Sequence, residues 1–283
     1  MNDQARPMTP YLTLDVFTDT PFTGNPLAVI PDARALPEDA LQKIAAEFNY
    51  SETTFIFPPE DPAHTARVRI FTPTMEIPFA GHPLIGTAVA LGRAGHGPDL
   101  ILETGVGPIR AHATPTEARF TTEVSLQVLA HPDPSLTARA LGLPQTALAA
   151  PPVMASVGLP FTLTELTSRE ALAACTPDTA AFKQGAAAHP GSLDFAQFAW
   201  VRDGATIHAR MFAPLDMIPE DPATGSACAA LGAWLTAQHG PQTLTIRQGD
   251  DMGRPSRIGV TTTANAVTIS GAAVPVMQGT LAF

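Results

Sequence analysis

The chain carries one short pattern twice, and this internal repeat constrains its fold more than any other feature. "RIFTPTMEIPFAGHP" at residues 69–83 is echoed by "RMFAPLDMIPEDPATGSA" at residues 210–227. Each copy begins R-x-F-x-P and runs through a short link to a glycine that precedes an apolar segment. The offset of 141 residues is half of the 283-residue chain, so duplication of a strand, a link and a helix explains it better than chance.

The glycines Gly81 and Gly225 each begin a predicted helix. Pro83 suits a first helical turn, where a missing N–H costs nothing, and apolar residues then recur at helical spacing. A helix start offers unpaired N–H groups and the positive end of the dipole, which favour a carboxylate or phosphate. For a single motif of this kind, a plain turn is the simpler interpretation. Two matching starts can converge on one ligand if the two halves face each other.

Length and pattern together predict two domains of mixed α and β structure. We expect an N-terminal domain of residues 1–120 plus 272–283 and a C-terminal domain of residues 121–271. Many short strands and few helices indicate α/β (α+β) halves, each a barrel-like β-sheet around its glycine-opened helix. One further helix is predicted from about Pro37 to Phe48, with Asn49 as a left-handed stop.

Other segments give weaker signals. Residues 105–108, Gly-Val-Gly-Pro, predict a tight hairpin, and this G-x-G lacks a following helix, so we expect no dinucleotide site there. The pattern is poor from about residue 130 to 190. Strand character returns in "AFKQGAAAHPGSLDFAQFAWVRDG" at residues 181–204.

Charge and composition exclude several classes of partner. The 26 acidic and 16 basic residues give a net charge of −10 without a Lys/Arg cluster, which argues against nucleic acid and anionic membranes. The start "MNDQARPMTPYLTLDVF" has no targeting pattern, and no run suggests a membrane span. Two cysteines and eight scattered histidines predict no disulfide framework, no metal and a cytoplasmic location. We therefore expect that any anion the chain binds is a small molecule and that the chain holds no metal.

Glu52 is the first candidate for acid/base chemistry. It lies in "NYSETTF", between a helix stop and a strand of apolar residues, where desolvation would raise the carboxyl pKa toward neutrality. A carboxylate that merely caps or pairs at the strand entrance is an equally good interpretation of the local sequence. Asp221 precedes Gly225 by four residues and either acts in the site or only complements the helix dipole. His82 and Ser226 follow the two glycines and are counterparts in the repeat.

Nucleophilic catalysis is the rival chemistry, and Cys228 is the residue to test. Cys228, Leu231 and Leu235 share one face of the predicted helix, so we interpret Cys228 as a small buried apolar residue. Cys175 has no histidine nearby in sequence, and no G-x-S-x-G elbow is present. The sequence favours neither a thiol nor a serine nucleophile.

Four motifs together resemble one protein family. "GNPLAV", "NYSETTF", "RIFTPTMEIPFAGHPLIGTA" and "EDPATGSACAAL" closely resemble the PhzF-like phenazine-biosynthesis family, whose relatives by fold are diaminopimelate epimerase and proline racemase. The resemblance covers the whole chain in order and spacing and is weakest at residues 130–190. It implies two similar domains, each a barrel-like sheet around a central helix, with the last strands returning to the first domain, and usually a homodimer.

The resemblance also implies roles for individual residues. It gives Glu52 the acid/base role and places His82, Asp221, Gly225 and Ser226 in the substrate cleft. The epimerases of this fold use two cysteines at the helix starts, and the matching positions here are read as Ala80 and Ala223. Alanine carries no exchangeable proton, so two-thiol racemisation is not expected.

The function that follows is a cofactor-independent isomerase of a small, cyclic amino-carboxylate. The family's characterised reaction is isomerisation of trans-2,3-dihydro-3-hydroxyanthranilate, in which a proton and a double bond move around the ring. We expect the substrate carboxylate near Gly81 and Gly225 and the proton on Glu52. The alternative is a non-catalytic small-carboxylate binding protein on the same scaffold.

Overall fold

The computed structural model describes residues 8–123, 125–191 and 194–282. Contacts divide the chain into two compact units, Met1–Thr121 with Ser270–Phe283, and Thr122–Ile269. The fold is mixed α/β, as the repeat and the strand pattern predict. The two domains expected from the sequence, residues 1–120 plus 272–283 and residues 121–271, stay a prediction. The expectation that the chain has no targeting segment concerns residues 1–7 above all, which lie outside the described residues.

The first unit is a closed ring of strands. Its strands are β1 (Met8–Val16), β2 (Asn25–Ile30), β3 (Glu52–Phe57), β4 (Ala66–Phe71), β5 (Glu76–Ile77), β6 (Asp99–Thr104), β7 (Gly107–Ala113), β8 (Glu117–Thr122) and the end of β17 (Val267–Ala282). The pairing runs β1-β2-β3-β4-β6-β7-β8-β17 and returns to β1, while β5 adds to β4. The pairs β2–β3 and β4–β6 are parallel. The ring confirms the barrel-like sheet.

Helix α2 (Gly81–Arg93) is the central helix of this barrel. It contacts β1, β2, β3 and β7, and every residue from Gly81 to Leu91 is buried. A helix that is apolar on all sides belongs inside a core, which agrees with the run of small and apolar residues after Pro83. Helix α1 (Glu38–Phe48) ends at Asn49 with φ of 53°, as predicted. Residues 105–106 form the two-residue loop between β6 and β7, which confirms the predicted hairpin.

The second unit repeats the strand order of the first. Its strands are β9 (Gln127–Ala130), β10 (Val153–Ser156), β11 (Pro160–Glu165), β12 (Gln197–Asp203), β13 (Thr206–Ala213), β14 (Ile218–Asp221), β15 (Thr243–Gln248) and β16 (Ser256–Thr262). The pairs β11–β12 and β13–β15 are parallel, and β10–β11, β12–β13, β13–β14 and β15–β16 are antiparallel. This order matches β1 to β7 pair by pair. The central helix α6 (Gly225–His239) contacts β10, β11 and β16.

The R-x-F element of the repeat has the same physical role in both units. The Arg69 guanidinium lies 5.2 Å from the ring centre of Phe71 and binds Glu76 through two hydrogen bonds, at 2.8 and 2.6 Å. The Arg210 guanidinium lies 4.9 Å from the ring of Phe212 and binds Glu220 in the same way, at 2.7 and 2.8 Å. In each unit a cation–π contact and a bidentate ion pair therefore join the strand to its link.

The segment with the poor pattern contains three short helices. These are α3 (Pro134–Ala140), α4 (Arg169–Ala173) and α5 (Thr179–Ala188). Each begins with a side-chain cap, from Asp133, Ser168 and Asp178 respectively. The strand character predicted from residue 181 is wrong as far as Ala188, because the Asp178 carboxylate accepts the first N–H groups of an alanine-rich helix. Residues 192 and 193 of that segment lie outside the described residues.

None of the helices in the described ranges has both the length and the apolar character needed to cross a membrane.

Candidate active site

Glu52 is the first residue of β3. Helix α1 ends at the left-handed Asn49, and the chain then enters β3 beside β2, where Leu27 is in register with Glu52. The residues that follow Glu52 are buried, whereas the Glu52 side chain keeps 15% of its surface exposed. The carboxylate therefore sits where an apolar strand begins, as the sequence predicts.

Gly81 and His82 are the first two residues of α2. The preceding Ala80 is extended, with φ of −152°, and supplies no side-chain cap. Pro83 lies in the first turn and has no N–H of its own. The N-terminal N–H groups of α2 thus keep their capacity to donate to an anion, because no side chain of the cap position satisfies them.

The structure brings His82 and Glu52 into contact. His82 Nδ1 lies 3.1 Å from Glu52 Oε2, and the His82 side chain is 5% exposed. Burial lowers the pKa of His82 to about 3, with a hydrogen bond to the Pro26 backbone acting in the opposite direction. The imidazole is therefore neutral near pH 7.

The contacts of His82 determine which of its two ring nitrogens carries the proton. Because the Pro26 backbone can only accept, His82 donates one N–H to the Pro26 carbonyl. Nε2 is buried and has no hydrogen-bond partner among the described residues, which assigns the proton to Nδ1. The lone pair on Nε2 is then available to accept a hydrogen bond from an amino or hydroxyl group of a ligand. A carboxylate and a neutral imidazole acceptor thus stand side by side at a helix start.

The second unit builds a different arrangement at the start of α6. Asp221 is the last residue of β14 and is buried, and its Oδ2 accepts the hydroxyl of Thr224 at 2.5 Å. Gln248, at the end of β15, donates to the Asp221 carbonyl at 2.7 Å and to the Thr224 hydroxyl at 2.9 Å. The Gln248 carbonyl oxygen accepts the Thr224 N–H at 3.1 Å. Four hydrogen bonds therefore hold Asp221 against the first turn of α6, where Gly225 is buried and Ser226 is half-buried.

Sequence reasoning missed Thr224 and Gln248. The signal for Gln248 was present in "TLTIRQ", where Leu244, Ile246 and Gln248 alternate on the buried face of β15. A buried amide at the end of an apolar strand face has to find partners, so this position should have indicated a polar network. Thr224 was overlooked because the comparison of the two repeats matched Ala223, and not Thr224, with Ala80. The structure shows that Thr224 directly precedes Gly225, as Ala80 directly precedes Gly81.

The two helix starts differ although the units are duplicates. Thr53 pairs with Phe71 in the first unit, and Gln197 pairs with Phe212 in the second, so the counterpart of Glu52 is Ala196. Ala196 is buried and cannot exchange a proton. The first unit therefore carries its carboxylate at the start of a strand, and the second carries Asp221 at the end of the link strand.

Neither helix start holds a thiol. Ala80 and Thr224 precede the two glycines, and Cys228 is one turn inside α6 with no exposed surface. Burial raises the pKa of Cys228 well above that of a free thiol and raises the pKa of Cys175 to about 12. Both cysteines are inert small residues of the core, as predicted for Cys228. No group of three or more His, Cys, Asp and Glu side chains suited to a metal occurs among the described residues.

Comparison with known proteins agrees with the predicted fold. The family model described as phenazine biosynthesis-like protein, PhzC-PhzF, matches residues 14–279. A trans-2,3-dihydro-3-hydroxyanthranilate isomerase of Pseudomonas fluorescens is 36% identical over 288 residues, which cover 96% of this chain and 98% of that protein.

Two solved structures show the same fold. A phenazine biosynthesis protein of the PhzF family from Bacillus anthracis has a TM-score of 0.87 at 23% identity, covering 98% of this chain and all of that one. A hydroxyproline epimerase of Agrobacterium vitis has a TM-score of 0.65 at 15% identity, covering 98% of this chain and 93% of that one. The likeness to an epimerase confirms the predicted fold class.

Proposed function

Because the chain belongs to the phenazine biosynthesis-like (PhzC-PhzF) family and is an isomerase, we propose that Glu52 moves a proton on a small cyclic amino-carboxylate without a cofactor. The buried contact between Glu52 and His82 at the start of α2 carries this proposal. The substrate resembles trans-2,3-dihydro-3-hydroxyanthranilate, the compound named for the Pseudomonas relative.

The chemistry is a proton transfer between two carbons of one molecule. Glu52 removes a proton from carbon, the electron pair shifts along the ring, and the same carboxyl returns a proton at another carbon. The neutral His82 ring stays beside Glu52 throughout, and its Nε2 accepts a hydrogen bond from the amino or hydroxyl group of the substrate. No oxidation occurs, so the balance of atoms and electrons needs no further reactant.

The substrate carboxylate binds at a helix N-terminus. Backbone N–H groups around Gly81 provide donors, and the dipole of α2 adds a favourable field. For Asp221, Gly225 and Ser226 we propose roles toward the substrate at the start of α6, where Thr224 and Gln248 hold Asp221 in place. A homodimer stays a prediction from the family resemblance, and a cytoplasmic location stays a prediction from the sequence pattern and the cysteine content.

Binding of this compound without turnover is the alternative outcome, and one test separates it from isomerisation. The enzyme is incubated with trans-2,3-dihydro-3-hydroxyanthranilate in deuterated water, and ring protons are followed by NMR. Deuterium at carbon in substrate or product, at rates far above a blank, supports the isomerase. Saturable binding of the compound without any carbon exchange would show that it is a ligand and not the substrate, and absence of both rejects this substrate class.

A further inference from the structure

Phe22 occupies a position that folding does not favour for phenylalanine. Its side chain is 72% exposed, so burial contributes little. Its backbone is left-handed, with φ of 69°, a region where glycine and asparagine are far better tolerated. Stability alone would select another residue here, which points to a role in binding.

The loop that presents Phe22 is held firmly. The buried carboxylate of Asp15 accepts the Phe22 N–H at 2.6 Å. The hydroxyls of Thr18 and Thr23 are hydrogen-bonded at 2.5 Å. Gly24 closes the loop with φ of 66°, where an added Cβ would lie 2.4 Å from the Val16 carbonyl oxygen. These contacts fix the backbone of Phe22, so the ring is presented from a preorganised loop.

The same loop adjoins the Glu52–His82 pair. Asp15 lies opposite Pro26 in the β1–β2 pairing, and the Pro26 carbonyl is the acceptor for His82. Asn25 begins β2, and its side chain lies 3.5 Å from the hydroxyl of Ser51, the residue before Glu52. Since β2 and β3 are parallel, the loop before β2 and the start of β3 lie at the same end of the sheet.

We propose that Phe22 is a specificity-determining residue of this site, whose ring covers the hydrocarbon face of the bound cyclic substrate. The proposal rests on the function assigned to Glu52 above. The carbon face of a cyclic substrate is apolar although its substituents are polar, so a phenylalanine ring can cover that face by apolar contact. The cover also keeps water from the carbon that Glu52 deprotonates, which protects the transfer from side exchange.

The test measures affinity in a background that cannot turn substrate over. Calorimetry with trans-2,3-dihydro-3-hydroxyanthranilate compares Glu52→Gln with Glu52→Gln combined with Phe22→Ala. We expect the dissociation constant to rise about tenfold when the ring is removed. Phe22→Asn serves as a second variant, because asparagine accepts the left-handed backbone and should fold at least as well. Met75→Ala, at a side chain that is 58% exposed in the same unit, is the matched control and should leave affinity unchanged.

The outcomes separate this proposal from the proposed function. Equal affinity with and without the Phe22 ring overturns the role of Phe22 and leaves Glu52 catalysis untouched. If Glu52→Gln itself does not bind the compound while the wild-type protein shows no carbon exchange, the proposed function fails first. A change in sedimentation on Phe22→Ala with unaltered affinity would assign the ring to a contact between copies and reject the substrate role.

Discussion

His82 is a histidine that the fold keeps uncharged. Its ring is buried, its pKa is lowered to about 3 by burial, and it keeps the Nε2 lone pair for a ligand. A charged imidazole beside Glu52 would instead stabilise the carboxylate and weaken it as a base. Under the proposed function, neutrality at this position therefore serves the proton transfer as well as the packing of the core.

Acid should destabilise the protein through His82. The His82 ring has a pKa of about 6.5 in the unfolded chain and about 3 in the folded protein. Above pH 6.5 the ring is neutral in both states, whereas between pH 6.5 and 3 only the unfolded chain binds a proton on it. The contribution of the neutral His82 ring to the free energy of unfolding is therefore complete above pH 6.5 and is lost as the pH falls toward 3. Between pH 6 and 4, His82→Gln should reduce the pH slope of the unfolding free energy by about 1.4 kcal/mol per pH unit. Equal slopes in urea titrations of both proteins would show that the ring protonates in the folded state.

Gln248 should matter to stability far more than its sequence position suggests. Replacing it with leucine removes the partners of the Thr224 N–H and the Asp221 carbonyl, both of which are buried. A buried polar group without a hydrogen bond costs about 1–3 kcal/mol. Gln248→Leu should therefore lower the unfolding free energy by about 2 kcal/mol or more. Gln184→Leu, on the exposed side of α5, is the control. Similar denaturant midpoints for the two variants would contradict the network.

At the residue scale the sequence predicted the first unit better than the second. Glu52, Gly81 and His82 are candidates because a glycine before an apolar helix and a carboxylate before an apolar strand are local patterns, whereas the acid/base role of Glu52 comes from the family resemblance. Contact between Glu52 and His82 was not predictable, since it depends on β3 and α2 meeting inside one barrel. Gln248 contacts Asp221 across 27 positions of sequence, and no local pattern states that pairing.

At the scale of elements, the central helices position the site by packing closely against strands. An added Cβ at Gly86 of α2 would lie 2.4 Å from Leu27 Cδ2 and 2.8 Å from Val16 Cγ2. The absence of a side chain at Gly86 therefore lets α2 approach β1 and β2. The approach also brings His82 to Pro26 and Glu52.

Gly86→Ala should therefore disturb both stability and the site. Overpacking of this kind costs about 1–3 kcal/mol, and any outward shift of α2 lengthens the distance between His82 and Glu52. We expect a lower midpoint of thermal unfolding together with a reduced kcat. Gly204→Ala tests left-handed strain without crowding, because nothing lies within 4 Å of that position. If the Gly86→Ala protein kept the native unfolding midpoint and the native kcat, the packing of α2 against β1 and β2 would not be as close as described.

Helices could be predicted from the sequence where the apolar periodicity extended over several turns. The prediction failed where the helix was too short to show a period. The helix Glu38–Phe48 and its Asn49 stop follow from an apolar face and a turn residue. Helices α3, α4 and α5 have 7, 5 and 10 residues, too few turns for periodicity to stand out in an alanine-rich segment. Their capping residues Asp133, Ser168 and Asp178 were the usable signals.

At the scale of the whole molecule, duplication has preserved the framework and changed the chemistry. Both units keep the strand order, the arginine over phenylalanine and the glycine-opened helix. The position of Glu52 in the first unit is occupied by Ala196 in the second. A single chain thereby carries two unlike helix starts, which agrees with the proposal that one carboxyl, that of Glu52, transfers the proton.

The whole chain should also behave as if it had no reactive thiol. Cys175 and Cys228 are its only cysteines, and burial raises the pKa of both. Iodoacetamide should leave isomerase activity unchanged, and a thiol reagent should label no cysteine in the native state and two after denaturation. Loss of activity in step with labelling of the native protein would reveal a thiol in the reaction.

The central claim is that Glu52 carries the proton, and Glu52→Gln tests it most directly. Glutamine has nearly the shape of glutamate and still forms hydrogen bonds, but it cannot cycle a proton at neutral pH. Deuterium incorporation into trans-2,3-dihydro-3-hydroxyanthranilate is measured by NMR for the wild-type and variant proteins, with affinity measured in parallel by calorimetry. We predict that exchange at carbon falls by about 10²–10⁴-fold or more while the dissociation constant stays within a few-fold. Near-native exchange in Glu52→Gln would contradict the account and move the proton-transferring role to Asp221 or His82.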